Sequence, residues 1–247
     1  GGKSRAVKQI TEYFPKIDKL VSPFFGGGSI EIATAITGVE VNGYDVFAPL
    51  VCFWQHLLSD RETLYDAVVK LHPMSKDDFK SYQKKNPTMD CGIEQAAMFY
   101  ALNRSSFSGS TMSGGMSPNH PRFNASNMQT ILKFDAPKLT VDHADYVTSI
   151  TAHNEKDFMY LDPPYLLTET SNNLYGVQGS THKNFDHDTL FKMITDRDNW
   201  LMSYNAGDEI IKMYSEHPMI TLNWAYGMSA DKKSKEVLIS SKNLKVF

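Results

Sequence analysis

Cysteine is nearly absent from the sequence. Only Cys52 and Cys91 occur in 247 residues, which is too few for a small protein held together by disulfides. The two residues are far apart in the chain and form no C-x-x-C pair, so we expect neither a zinc site nor dithiol redox chemistry. A reducing, cytoplasmic setting is therefore the expected one.

Long apolar runs and an excess of positive charge are also lacking. No run approaches the ~18–20 apolar residues that a membrane-spanning helix needs, and the first residues show no signal-peptide pattern. We therefore expect no association with a membrane. The net charge is -3, whereas a protein that coats nucleic acid without specificity is usually basic. Binding to DNA would thus require a local patch.

The chain has instead the composition of an ordinary globular protein. Hydrophobic residues make up 41% and charged residues 21%, and the length suits one large domain or one domain with an insertion. The N-terminal segment predicts an alternation of helix and strand that is typical of the start of a Rossmann-like unit. The predicted elements are an amphipathic helix over 4–14, a strand over 19–25, a glycine turn at 26–28, a helix over 30–36 capped by Ser29, and a strand over 39–45.

The remainder predicts a polar, helical middle segment followed by further strands and helices. Residues 56–100 are helical in pattern, whereas 103–129 are rich in Ser, Gly, Asn and Met and predict a long loop or a loose hairpin. The later predictions are strands over 139–141, 158–161, 200–203, 219–225 and 236–240, helices over 187–195 and 207–216, and a polar loop over 166–185.

The strongest chemical signal is the succession of Asp162, Pro163, Pro164 and Tyr165 directly after an apolar strand. Two prolines hold a rigid, extended turn, and open α/β sheets bind ligands at the carboxyl ends of their strands. Asp162 and the Pro163 carbonyl can each accept a hydrogen from a ring-bound amino group, while Tyr165 can stack on the ring. The alternative is a proline-rich turn with a surface tyrosine and no binding function.

A second signal is the glycine turn at 26–28, which lets the backbone approach a nucleotide-like ligand closely. Asp45 ends the next predicted strand, at a position where an acid commonly binds ribose hydroxyls. Taken alone, the glycines are also compatible with a simple tight turn, and Asp45 with an ordinary acid at a strand end.

Carboxylates are absent from the sequence between Glu94 and Asp135. This stretch contains Arg104, Arg122 and Lys133 among many Ser, Asn and Gln residues. Such a composition suits contacts with the phosphate backbone and grooves of DNA. The alternative is a neutral, flexible loop.

Taken together and in this order, the motifs resemble the Dam-type, or D12 class, DNA adenine-N6 methyltransferases. The resemblance covers nearly the whole chain and rests on segments 1–4, 23–28, 102–109, 145–146, 162–165 and 235–239. It implies an α/β, Rossmann-like methyltransferase fold with a mostly parallel seven-stranded sheet. The expected parts are a cofactor-binding part over 1–55, a helical and hairpin target-recognition insertion over 56–135, and a catalytic part over 136–247.

The resemblance also implies the roles of individual residues. The implied catalytic residues are Asp162, Pro163, Pro164 and Tyr165. The implied cofactor is S-adenosyl-L-methionine, without a metal, and its expected contacts are Lys3, Phe24, Phe25, Gly26, Gly28, Ser29, Asp45, Asp145, Tyr146 and Asp162. The implied partner is double-stranded DNA, and its expected contacts are Asn103, Arg104, Phe107, Ser108 and Arg122.

The mechanism implied by the family begins with flipping of the target adenine out of the duplex, because its N6 is unreachable within the stack. The methyl group then passes to N6 by direct in-line transfer, helped by positioning and electrostatics. GATC is a common target in the family, but the segment after Phe107 lacks the Arg or other bulky polar residue usual there, so this sequence does not identify the target.

Three alternatives stay open at this point: a cytosine-N4 methyltransferase, an RNA adenine methyltransferase, and a non-catalytic DNA-binding protein on the same fold. No protein partner is indicated, and we expect a monomer, or a dimer on DNA.

Overall fold

The computed structural model describes residues 3–117, 121–166, 185–225 and 233–245. The strands are β1 (Lys19–Ser22), β2 (Glu40–Asp45), β3 (Leu139–His143), β4 (Phe158–Leu161), β5 (Trp200–Asn205), β6 (Met219–Ala225) and β7 (Lys233–Ser240). The helices are α1 (Val7–Thr11), α2 (Ser29–Ile36), α3 (Ala48–Ser59), α4 (Arg61–Val69), α5 (Lys76–Lys85), α6 (Ile93–Ser105), α7 (Ala125–Leu132), α8 (Tyr146–Thr151), α9 (His187–Thr195) and α10 (Asp208–Met213). None of the helices in these ranges is long and apolar enough to cross a membrane.

The seven strands form one sheet in the order β3-β2-β1-β4-β5-β7-β6. β1 to β5 are parallel, and β7 runs antiparallel to both β5 and β6. The predicted mostly parallel, Rossmann-like sheet is thereby confirmed. From β1 the chain proceeds outward to β2 and β3 and then returns to place β4 on the other side of β1. Ligands bind outside the carboxyl ends of strands at such a switch point.

Both faces of the sheet are covered, as is usual for a parallel sheet. In β4, Phe158 and Tyr160 belong to one core, which includes residues of α1 to α7. Met159 and Leu161 belong to the opposite core, which includes residues of α8 to α10, because successive side chains of a strand alternate between faces. Burial on both sides holds the carboxyl end of β4 in place, and with it the turn at 162–165.

The prediction that Ser29 caps α2 is wrong. The helix begins at Ser29 itself, its N-cap is Gly28, and no side chain caps it. Gly28 has a left-handed backbone, with φ 63°, a conformation that glycine adopts without steric cost. The chain therefore enters the helix one residue earlier than the side-chain pattern indicates.

The irregular segment over 103–129 is shorter than predicted. α6 continues to Ser105, and residues from Ala125 onward form α7, whose N-cap Asn124 accepts a hydrogen bond from the Asn127 backbone at 2.9 Å. Between the two helices, Ser106 and Met116 form an antiparallel bridge, so the loose hairpin is confirmed there. Residues 118–120, and the predicted polar loop at 167–184, lie outside the described residues.

The two cysteines are far apart in the sequence but meet in the fold. Cys52 on α3 and Cys91 just before α6 form a disulfide, with Cα atoms 5.5 Å apart. α3 and α6 pack against each other, which brings together residues 39 positions apart. The sulfur atoms and a ring nitrogen of His56 lie within 4.8 Å of one another. These cysteines could bind a metal only if the disulfide were reduced and the thiols deprotonated.

The predicted boundary at residue 56 falls inside α3, which packs on β3 of the sheet and on α6. The middle segment is thus joined to the sheet by a continuous helix rather than by a linker. The division of the chain into three parts stays a prediction.

Candidate active site

The carboxyl ends of β1 and β4 lie side by side, since the two strands are parallel neighbours with Leu20 paired to Phe158. β1 leads into the glycine turn, and β4 leads into Asp162. β2 and β3 end at the same edge, which brings Asp45 and the segment around Asp145 there as well. Two motifs that are distant in the sequence therefore meet at one edge of the sheet.

The glycine turn is shaped by the ring of Phe25 beneath it. A Cβ atom on Gly28 would lie 2.6 Å from Cζ of Phe25, whereas a Cβ on Gly26 or Gly27 would meet nothing within 4 Å. Phe25 is 2% exposed, and its ring meets Trp54 edge-on at 5.2 Å. The turn therefore presents open backbone on one side and rests on a buried aromatic ring on the other.

The carboxylate of Asp45 holds this turn from the end of β2. It accepts hydrogen bonds from the backbone N–H of Gly26 at 2.9 Å and of Phe47 at 2.8 Å. Burial raises the pKa of Asp45, and the backbone hydrogen bonds act in the opposite direction. A carboxylate has about four acceptor positions, so Asp45 retains the capacity to accept a ligand hydroxyl next to the turn.

An aromatic cluster lies close to the same edge. Phe24 stacks on Tyr146 with ring centroids 5.7 Å apart, and both contact Phe185, at 5.6 and 5.1 Å. Asp145 caps α8 by accepting a hydrogen bond from the Thr148 backbone at 2.7 Å, and the hydrogen bonds with Thr148 lower the pKa of Asp145. The structure thus brings together Phe24 and Tyr146, two of the expected cofactor contacts, and adds Phe185, which sequence reasoning missed.

The two oxygens of Asp162 differ in their surroundings. Oδ1 lies 3.2 Å from Nζ of Lys3 and accepts a hydrogen bond from Oγ of Ser203 at 3.2 Å. The Ser203 hydroxyl is itself hydrogen-bonded to the buried Tyr160 hydroxyl at 2.8 Å. Across the described ranges, Oδ2 accepts no hydrogen bond. One oxygen is therefore anchored by the protein, and the other is available to an external donor.

Lys3 joins three groups of the site. Its Nζ lies 3.2 Å from Asp162, 2.7 Å from Oε2 of Glu236 and 2.5 Å from the Tyr165 hydroxyl. Burial alone would lower the pKa of Lys3, but the charges of Asp162 and Glu236 outweigh it, and the pKa is raised. The ring of Tyr165 stacks on Tyr204 at 5.7 Å. A charged ammonium group therefore ties the N-terminal segment to β7 and to the Asp162 turn.

Sequence reasoning missed two buried carboxyl groups of this site. Glu236 on β7 is fully buried, and burial raises its pKa while the charge of Lys3 lowers it. Glu31 in the first turn of α2 is 3% exposed, and its Oε1 accepts a hydrogen bond from Oγ of Ser22 at 2.7 Å. Burial raises the pKa of Glu31 to about 7. The only sequence signal that Glu236 belongs to the site was the presence of a single acid in an apolar strand. Glu31 had no such signal, because it resembled an ordinary acid in the first turn of a helix.

The predicted DNA-contacting residues divide into two groups. Phe107, in a 3-10 turn directly after α6, is 65% exposed. The Arg104 guanidinium lies 5.2 Å from the centre of the Tyr100 ring. Phe107 is thus at the surface, Arg104 is half-buried, and the side chain of Ser108 lies outside the described residues.

Asn103 and Arg122 instead stabilise the hairpin by hydrogen bonds within it. The Asn103 amide donates a hydrogen bond to Oγ1 of Thr111 at 3.0 Å. Arg122 donates from Nη2 to the carbonyls of Asn103 at 3.1 Å and Ser106 at 2.5 Å. Burial and the nearby charge of Arg104 lower the pKa of Arg122. Both residues thus shape the hairpin through its own backbone.

Comparison with known proteins identifies one family. A model of the D12 class N6 adenine-specific DNA methyltransferases matches residues 1–228. A curated relative, the DNA N-6-adenine-methyltransferase of Escherichia phage P1, is 25% identical over 207 residues, which cover 79% of this chain and 27% of the relative. The chain therefore spans little more than a quarter of the length of that protein.

Proposed function

Because the chain belongs to the family of D12 class N6 adenine-specific DNA methyltransferases, we propose that it transfers the methyl group of S-adenosyl-L-methionine to the N6 amino group of adenine in double-stranded DNA. The observation that carries the proposal is the arrangement of Asp162. One of its oxygens is anchored by Lys3 and Ser203, while the other accepts nothing from the described residues at a turn that also offers the Pro163 carbonyl.

The residues around the glycine turn fit the proposed cofactor. The open backbone at Gly26 and Gly27 leaves room for a ligand, and Asp45 can accept a ribose hydroxyl. The stacked pair of Phe24 and Tyr146 suits an adenine ring. S-adenosyl-L-methionine supplies an electrophilic methyl group on a sulfonium sulfur. In this proposal, Phe25 sets the shape of the glycine turn and Ser29 contributes its backbone to the cofactor site. Lys3 and Asp145 contribute a positive and a negative charge to it.

At the other side of the site, Asp162 and the Pro163 carbonyl orient the substrate amine. Each accepts one N6 hydrogen of the flipped adenine, so that the nitrogen lone pair is directed at the methyl group. Tyr165 stacks on the base, a contact worth roughly 1–3 kcal/mol, and Pro164 keeps the turn extended. Catalysis then depends on positioning and on fixed charges, with no covalent enzyme intermediate.

The hairpin after α6 is the proposed DNA-contacting surface. Phe107 offers an exposed aromatic ring for contact with a base, and the half-buried Arg104 offers a positive charge to phosphate or base edges. The absence of carboxylates between Glu94 and Asp135 removes repulsion from this surface. The target sequence is part of the proposal, and GATC is the first target to test.

We also propose that the protein is located in the cytoplasm and acts as a monomer. In a reducing cytoplasm, Cys52 and Cys91 would be thiols.

The test is methylation of unmethylated plasmid DNA with labelled S-adenosyl-L-methionine, followed by digestion and mass spectrometry of the nucleosides. We expect N6-methyladenine with the unaltered protein, and with Asp162→Asn a loss of at least about 100-fold in rate. Cofactor binding, followed by calorimetry, should persist in Asp162→Asn, because Lys3 keeps Glu236 as a partner. Asp196→Asn, at an exposed acid after α9, is the matched control.

Other products would redirect the proposal. N4-methylcytosine, or label in RNA alone, would replace the substrate by one of the alternatives. Binding of DNA without any methylation, together with no binding of S-adenosyl-L-methionine, would point to a non-catalytic DNA-binding protein. A rate near that of the unaltered protein in Asp162→Asn would refute the role of this carboxylate.

A further inference from the structure

Glu31 is a buried carboxyl group to which the proposed mechanism gives no role. It lies in the first turn of α2, directly after the glycine turn, and is 3% exposed. Its Oε1 accepts a hydrogen bond at 2.7 Å from Ser22, the last residue of β1. Burying a carboxylate without a cationic partner is costly. The charged form of this acid is therefore disfavoured at its position between β1 and α2.

The surroundings of Glu31 favour its neutral form. Burial raises its pKa to about 7, and the charge of Asp162 acts in the same direction. The hydrogen bond from Ser22 and the backbone N–H groups of Ile30 and Glu31 act in the opposite direction. A fraction of Glu31 is therefore protonated near neutral pH.

Within the described ranges, the titratable groups that face Glu31 come from β4 and the turn after it. The groups are the Tyr160 phenol on β4 and the Asp162 carboxyl group. β1 contributes the uncharged Ser22. The elements packed against α2 also carry other charged or titratable residues: Lys8 on α1, Lys19 on β1, Glu40, Tyr44 and Asp45 on β2, and Asp142 and His143 on β3.

A bound cofactor would change the balance between the neutral and the ionised form of Glu31. The methyl group must lie near the amine held by Asp162, so the sulfonium charge must lie near Asp162 as well. The charge of Asp162 raises the pKa of Glu31. A positive charge at the same place would lower that pKa. S-adenosyl-L-methionine carries a net positive charge, because its sulfonium and ammonium charges exceed its one carboxylate charge. Lys3 is already engaged with Asp162 and Glu236.

We propose that Glu31, the buried acid hydrogen-bonded to Ser22 beside the glycine turn, is a proton-linked positioning residue that releases its proton when the cationic cofactor binds. The O–H bond of the carboxyl group breaks, the proton passes to the buffer, and the carboxylate that remains balances the charge of the cofactor. This inference rests on the proposed function, because it requires binding of S-adenosyl-L-methionine.

The test is calorimetric titration of the protein with S-adenosyl-L-methionine at pH 7, in buffers of different ionisation enthalpy. The unaltered protein should release about 0.5 proton more per bound cofactor than Glu31→Gln, because about half of Glu31 is protonated at that pH. The affinity of the unaltered protein should rise by up to about tenfold from pH 6 to pH 8, and this rise should be absent in Glu31→Gln. Glu62→Gln, an exposed first-turn acid of α4, is the matched control.

Ser22→Ala provides a second variant that keeps the carboxyl group. Because the Ser22 hydrogen bond lowers the pKa of Glu31, its removal should move the midpoint of the affinity change to higher pH. Such a shift would support the inference even if Glu31→Gln does not fold. A merely structural role of Glu31 would change stability but would not change proton release.

The outcomes separate the two proposals. Cofactor binding with the same proton release in the unaltered protein and Glu31→Gln would overturn this inference alone, as would an unchanged midpoint in Ser22→Ala. The absence of binding at every pH would overturn the proposed function and this inference with it.

Discussion

Replacing Glu31 by Gln should make the stability of the cofactor-free protein less dependent on pH. In the folded chain burial raises the pKa of Glu31 from 4.5 to about 7. The folded state therefore binds more protons than the unfolded state between these pH values, and the free energy of unfolding falls as the pH rises through them. At about 1.36 kcal/mol per pH unit, the loss amounts to about 3 kcal/mol and is complete above pH 7.

Gln keeps the size of the side chain but cannot ionise, so Glu31→Gln lacks this loss. The variant and the unaltered protein should unfold with similar free energies near pH 4.5, and the variant should become more stable by about 3 kcal/mol near pH 8. The assay is urea unfolding at pH 4.5, 6, 7 and 8, followed by the fluorescence of the buried Trp54 and Trp200.

The control for this experiment is Glu62→Gln, which changes an exposed acid in the first turn of α4. It should alter the free energy of unfolding by no more than about 0.5 kcal/mol at any of these pH values. A stability difference between Glu31→Gln and the unaltered protein that stays constant from pH 4.5 to 8 would refute the reasoning, because it would mean that burial does not oppose ionisation of Glu31.

Three further predictions concern other parts of the site. Gly28→Ala should lower the free energy of unfolding by about 1–3 kcal/mol, because of its positive φ and the 2.6 Å approach to Phe25, whereas Gly27→Ala, which meets no atom within 4 Å, should cost less in the same denaturant assay. Phe107→Ala should leave stability within about 0.5 kcal/mol but weaken DNA binding by about 1–3 kcal/mol in fluorescence anisotropy; equal affinity would exclude a stacking role. Glu236→Ala should destabilise the fold by about 3–5 kcal/mol, because it removes a partner of buried Lys3, and an unchanged melting curve would contradict that ion pair.

Local sequence patterns were sufficient for the part of the site that depends on neighbouring residues. The apolar run at 158–161 predicts a strand, and the prolines at 163 and 164 predict the rigid turn after it. In the same way, the glycines at 26–28 predict a sharp turn between β1 and α2, and the acid Asp45 marks the end of β2. Each of these features is decided by the conformations available to a few consecutive residues.

Two local predictions failed, one because of a backbone conformation and the other because of a polar composition. Ser29 is a good capping residue in general, but Gly28 takes the N-cap position because of its left-handed backbone. The polar composition at 125–132 concealed α7, whose buried residues are only Met128 and Ile131. Neither misassignment affects the strands that form the edge of the site.

Local sequence patterns predicted the alternation of strands and helices, the two turns of the proposed site, and the resemblance to one family. Which distant residues meet depends on the tertiary structure. Lys3 meets Glu236 and Asp162, and Glu31 meets Ser22, near these turns, while Cys52 meets Cys91 where α3 packs on α6. The physical reason is the order of the strands. Placing β4 beside β1 and β7 beside β5 brings charged groups from four segments into one buried space, and charge balance in that space cannot be worked out from neighbours in the sequence.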